Sequence, residues 1–166
     1  MIDFAFMYEA LVRLVGGVPL TLQLSLIASA FGVIFAVAAA LMQLSDSRIL
    51  RMIADSYVFA IRGTPLLVQI FLIYYGMGQF DFIRNSFLWA LLREPYWCAI
   101  FALMFNTGAY GSQIVRGGLL SVPKGQIEAA RSCGMPTVMI YRRIILPLAI
   151  RQALPAYGNE IILLTK

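Results

Sequence analysis

The sequence predicts an all-α bundle of membrane-spanning helices. Hydrophobic residues fill 61% of the 166 positions and charged residues only 13%, with a mean hydropathy of +0.82. Soluble domains sit near half apolar and a quarter charged. Three long runs lack charge, at residues 14–45, 63–80 and 95–115. A bilayer helix needs about 20 mostly apolar residues. Hydrocarbon forces every backbone amide to bond within its own element, which selects helices. The alternation of a membrane β-barrel is absent.

The amino end does not read as a cleavable signal. It carries Asp3 and Glu9, lacks a basic start, and its apolar run exceeds a signal core. The first span, near residues 17–44, holds Thr21, Ser25, Ser29, Gly32, Ala36 and Ala40 at helical spacing. Such a stripe lets two helix backbones approach closely. The second span, near 56–79, meets Arg62-Gly63-Thr64-Pro65. Pro65 removes a helical hydrogen bond and Gly63 loosens the turn, so a kink or a helix start is expected. Gln69, Tyr74 and Tyr75 follow. Between this span and the next, residues 87–92 are too short to cross and are expected at the interface, anchored by Trp89 and Trp97.

The third span, near 95–115, carries a polar tract from Asn106, Thr107 and Tyr110 to Gln113. Polar groups at that depth pair with one another, glue helices or line a wet path. A fourth apolar stretch, near 146–165, is interrupted by Arg151 and Glu160. A carboxylate there points into the bundle or a water-filled cavity, to meet a solute cation or a neighbouring base. Gln69, Asn106, Thr107, Tyr110, Asn159 and Glu160 are the candidate path residues.

Lys and Arg fix the expected sidedness. The segments 48–62 and 116–151 carry nine, against three in the amino-terminal stretch and the 81–94 loop. Basic residues mark cytoplasmic loops. The amino end and Lys166 are therefore expected outside, and the 116–147 loop inside. The net charge of +5 follows from this topology, so no nucleic-acid partner is implied. There is no histidine, hence no common metal ligand or general base. No catalytic pair and no metal site are legible. Cys98 and Cys133 fall in different regions, which argues against a disulfide.

Inside the 116–147 loop, Pro123 opens a short helix, with Ser121 near enough to cap it and Glu128 near its positive end. Ala129 and Ala130 give a smooth face suited to a cleft on a cytoplasmic partner. Gly134 ends the helix and Pro136 follows. A second short helix is expected at about 137–145, before Leu146 and Pro147. The two form an L-shaped elbow.

The run Glu128-Ala129-Ala130, Gly134, Ile144 and Leu146-Pro147 resembles the EAA loop of ATP-binding-cassette importer permeases, at every defining position. Arg62-Gly63-Thr64-Pro65, Arg116-Gly117-Gly118 and Asn159-Glu160 resemble the polar amino acid subfamily, which includes histidine, arginine, glutamine and opine permeases. Gln113 and Leu148 depart from it. The resemblance implies a multi-pass permease subunit of the bacterial plasma membrane, one domain over 1–166, with a fifth span beyond Lys166. It implies a second permease subunit, identical or homologous, and a separate ATPase subunit that uses ATP and magnesium and receives the EAA loop. A periplasmic or lipid-anchored binding protein would deliver a polar amino acid, basic or opine-like. The chain itself has no phosphate loop of the Walker type, so it is read as a non-enzymatic subunit without a cofactor, among membrane lipid. A secondary transporter or channel without an ATPase is the alternative. An intramembrane enzyme lacks a candidate nucleophile and base.

Overall fold

A computed structural model describes residues 4–164; Asp3 and Lys166 lie outside the described residues. Helices α1 (Phe4–Gln43), α2 (Arg48–Arg62) and α3 (Leu66–Phe71) come first. A π turn (Leu72–Gly76) and a 3-10 turn (Met77–Gln79) extend α3. Two one-turn helices, α4 (Asp81–Arg84) and α5 (Trp89–Leu92), make the connection to α6 (Pro95–Leu120). Then come α7 (Lys124–Ser132), α8 (Thr137–Ile140) and α9 (Leu146–Leu164). The described residues contain no strand.

α1 and α6 are the central pair, and the small-residue stripe is why they can be. Ser25, Ser29, Gly32, Ala36 and Ala40 are all buried, while Thr21 is exposed and its hydroxyl donates to the Gly17 carbonyl. A Cβ on Gly32 would lie 2.8 Å from the Thr107 Cβ, and one on Gly111 would lie 2.9 Å from the Ala36 Cβ. Backbones this close gain dispersion contacts, the main source of helix adhesion in lipid. α9 packs on α6 by the same device: a Cβ on Gly118 would meet the Ala149 carbonyl oxygen at 2.7 Å. Tyr57 of α2 donates to the Phe105 carbonyl at 2.6 Å, and Tyr157 of α9 donates to the Ser29 carbonyl at 3.1 Å. Cys98 and Cys133 are both free, the first buried and the second exposed.

The expected span count changes. Met7–Gln43 and Pro95–Leu120 are each long and apolar enough to cross a membrane. The span at 56–79, where a kink or helix start was expected, is two helices, Arg48–Arg62 and Leu66–Gln79, meeting at 105°; together they are apolar enough for one broken span or a re-entrant loop. α9 is helical throughout but is not among the candidates, because Arg151, Asn159 and Glu160 dilute its apolar run. The first helix also starts well before residue 17.

The elbow differs from expectation as well. The second short helix does not stop before Leu146. α8 runs through a π turn (Tyr141–Ile145) directly into α9, giving continuous helix over 137–164. Pro147 cannot donate to a carbonyl one turn back, and a wider turn just before it accommodates that loss.

Candidate functional site

Two regions emerge, a polar cleft and the elbow. The cleft is built on the bend after α2. Gly63 donates its N–H to the Phe59 carbonyl, and a Cβ there would lie 2.8 Å from the same oxygen. The Thr64 hydroxyl donates to the Ala60 carbonyl at 2.9 Å, and Pro65 takes an extended conformation ahead of α3. Gln69 then reaches back across the turn. Its Nε2 donates to the Ile61 carbonyl at 2.7 Å, to the Thr64 carbonyl at 3.1 Å and to the Thr64 hydroxyl at 2.9 Å. Its Oε1 accepts from Asn106 Nδ2 at 3.2 Å. One buried amide thus satisfies carbonyls left open by the end of α2 and ties the bend to α6.

Gln69 was a candidate path residue; its hydrogen bonds make it a clamp. Its replacement by leucine leaves the Ile61 carbonyl and Asn106 unpaired. We expect Gln69→Leu to lower the stability of the solubilised protein by about 1–3 kcal/mol. A fall in melting temperature measures this, and an unchanged one removes the clamp role.

The bend opens onto a cleft of about 600 Å³ whose walls include Arg62, Asn106, Tyr110 and Glu160. α2, α6 and α9 each supply a part. The Arg62 guanidinium sits 5.0 Å from the centroid of the Tyr110 ring, a cation–π contact. Asn106 is buried and Glu160 is half-buried. The wall therefore presents one cation and one carboxylate, with an amide and a phenol between them. Of the path candidates, Asn106, Tyr110 and Glu160 come together here. Thr107 does not: it is fully buried against Gly32 in the α1–α6 contact. Asn159 is exposed and does not line the cleft. Arg62 was read as a topology charge and as part of the Arg62-Gly63-Thr64-Pro65 run, not as a path residue; its place beside a glycine–proline break was the signal for a cleft role.

A second cleft of about 510 Å³ shares Arg62 and Gly63 with the first. Here Gln113 Nε2 donates to Gln43 Oε1 at 2.9 Å, and Gln43 Nε2 donates to Asp55 Oδ1 at 2.8 Å. This relay joins α6, α1 and α2. Gln113 departs from the resembled pattern and so carries no charge of its own here. Its partner is an amide, and a carboxylate arrives one residue further on.

In the elbow, α7 ends in a double hydrogen bond: the Gly134 N–H donates to the Arg131 carbonyl at 2.9 Å and the Met135 N–H to the Ala130 carbonyl at 3.1 Å. Gly134 has φ +74°, the left-handed conformation that this motif requires. Ser121 does not cap α7; its hydroxyl donates to the Gly118 carbonyl at 2.8 Å, and Pro123 occupies the capping position. Helix α7 begins at Lys124, so Glu128 lies beyond its first turn. Val122, Ala130, Ile140 and Ile145 form a small core, with Ile144 packed beside it. Ala130 is therefore not part of an outward face, and neither is most of Ile144. Glu128 and Ala129 are exposed, as are Gly134, Leu146 and Pro147. The outward surface of the elbow also includes Val138, 79% exposed, and Tyr141, 51% exposed.

Apolar helices joined by close glycine contacts, a charged cleft at their broken segment and a protruding elbow define a membrane subunit of a transport system. The chain belongs to the binding-protein-dependent transport system inner membrane component family, which its residues 19–166 match. It is 54% identical over 164 residues to the octopine transport system permease protein of Rhizobium radiobacter, covering 99% of this chain and 67% of that protein. It is 52% identical over 165 residues to the nopaline transport system permease protein of Agrobacterium fabrum, covering 99% and 68%. The histidine/lysine/arginine/ornithine transport system permease protein of Escherichia coli K12 is 40% identical over 149 residues, covering 89% and 63%. The chain thus spans about two thirds of the length of these relatives.

Among solved structures, an amino acid ABC transporter with histidines matches with a TM-score of 0.84 at 38% identity, covering 99% of this chain and 73% of that one. The MetNI methionine ABC transporter, in inward-facing conformations, shares the fold with a TM-score of 0.71 at 22% identity. The relatives are permease subunits rather than enzymes.

Proposed function

We propose that this chain forms one half of the solute path in an ATP-driven importer of basic or opine-like amino acids. A permease partner, identical or homologous, supplies the other half. A binding protein delivers the solute from outside, where the amino end lies. A separate ATPase subunit, with its own ATP and magnesium, receives the elbow in the cytoplasm. The exposed Glu128 and Ala129 are offered to that subunit, and Gly134, Ile144, Leu146 and Pro147 hold the elbow's shape.

The observation that carries the reading is the presence of both Glu160 and Arg62 on one cleft wall. A zwitterion needs a carboxylate for its cation and a guanidinium for its carboxylate, and this wall offers both. Lysine, arginine and ornithine appear in the name of one relative, and all three bear a second cation. Passage requires different affinities in the inward-open and outward-open states, and ATP-driven motion of the elbow provides the switch.

The test is reconstitution of the full-length protein with its ATPase and permease partners in proteoliposomes. Labelled arginine, lysine, octopine and glutamate are supplied outside with binding protein, and ATP inside. Uptake of the basic solutes or of the opine should depend on both protein partners and on ATP. Uphill uptake by the permease alone would return the protein to the secondary-transporter class.

A further inference from the structure

We propose that the second cleft is an oxyanion site, formed by Arg62 and Arg116 and suited to a carboxylate or a phosphate. The cleft of about 510 Å³ is lined by two guanidiniums and one carboxylate, Asp55. Asp55 spends one oxygen on the Gln43 amide, and Gln43 in turn is held by Gln113. Among the described residues, neither arginine has a carboxylate oxygen within 4.0 Å. Arg116 Nε is buried and makes no hydrogen bond. Arg62 touches the Tyr110 ring face, which neutralises no charge.

The buried, unpaired Nε of Arg116 is costly to leave without an acceptor, and an anion on this wall supplies one, with the exposed Arg62 beside it as a second cation. Arginine's planar fork matches two oxygens of a carboxylate or phosphate at once. Glutamines 43 and 113 hold Asp55 to one side and so keep it from filling that role. Two sources share this chemistry: the carboxylate of a departing solute, passed across Arg62 from the first cleft, and the phosphate of an anionic lipid. Naming the solute as one source rests on the transport reading above; the oxyanion site itself does not.

The test reads melting temperature for the full-length protein purified with its partner subunits, at fixed ionic strength. Replacing chloride by acetate or inorganic phosphate should raise the wild-type melting temperature. Arg116→Gln should lose the rise. Arg93→Gln alters the Arg93–Glu94 pair just before the opposite end of α6, about 35 Å away at 1.5 Å per residue, and should keep the rise. A response to arginine but not to agmatine, which lacks the carboxylate, assigns the solute if Arg116→Gln abolishes it. A response to phosphatidylglycerol over phosphatidylcholine in nanodiscs, abolished in the same way, assigns the lipid.

Equal responses of wild type and Arg116→Gln to every oxyanion overturn the proposal. If Arg116→Gln does not fold, Asp55→Asn replaces it. Asn keeps the acceptor for Gln43 and removes the opposing charge, so oxyanion affinity should rise several-fold. An unchanged or weaker response then overturns the proposal. None of these readouts needs transport, so failure here is distinct from failure of the importer reading.

Discussion

Replacing Gly134 by valine will abolish solute uptake while the protein still inserts in the membrane. The cause is backbone conformation alone. A Cβ at Gly134 would meet nothing within 4 Å, so no clash is involved. The residue sits at φ +74°, which costs a residue with a side chain about 1–2 kcal/mol and is a genuine outlier for a β-branched one. Valine relieves the strain by leaving that region, and the hydrogen bonds from the Gly134 and Met135 N–H groups are lost with it. The turn between α7 and α8 then has no fixed angle. The small core of Val122, Ala130, Ile140 and Ile145 cannot close around it. Asparagine tolerates the left-handed region, so Gly134→Asn should retain a substantial share of uptake. The measurement is binding-protein-dependent uptake in proteoliposomes beside ATP hydrolysis by the same complexes. Full uptake by the valine variant would remove the elbow from the coupling path.

The second large effect is expected at Glu160. Glu160→Gln keeps the shape of the cleft wall and removes its negative charge. At an effective dielectric constant near 20, two unit charges about 4 Å apart interact by about 4 kcal/mol. Only part of that is lost, because Glu160 is half-buried and a glutamine oxygen still accepts a hydrogen bond. We expect KM for lysine and arginine to rise on the order of ten- to hundredfold, equivalent to about 1.4–2.8 kcal/mol. Uptake of a solute with no side-chain cation, such as glutamine, should fall less. Parallel changes for lysine and glutamine would make Glu160 a structural residue.

Much of this was legible in the chain, and the failures have definite causes. Composition and charge-free runs specify a helical membrane protein, because lipid leaves few alternatives for the backbone. The small-residue stripe found its partner, since Gly32, Ala36 and Ala40 have value only against another helix. The break at Gly63 and Pro65 was visible, but its 105° angle was not. That angle depends on Gln69 bonding to Ile61, eight residues earlier, and hydropathy carries no sign of such a bond. Asn106, Tyr110 and Glu160 share a cleft wall, yet Thr107, next to Asn106, turns toward Gly32 of α1. One residue turns a helix by about 100°, so a polar tract splits between a cleft and a packed interface. Ala130 was read as outward-facing because alanine has no preference of its own. Only the fold of α8 over α7 reveals that it is inside.

The continuous helix from Thr137 to Leu164, with a π turn at Tyr141–Ile145 and Pro155 within it, joins the elbow to the cleft wall. Its tightest support is the place where Gly118 lets the Ala149 backbone come in close. Thr137 and Glu160 lie on opposite sides of that fulcrum, each about 16–18 Å away along the axis. A rocking of about 10° about it carries each end by about 3 Å, in opposite directions. A displacement at the elbow end is thereby passed along one helix to Glu160 on the cleft wall.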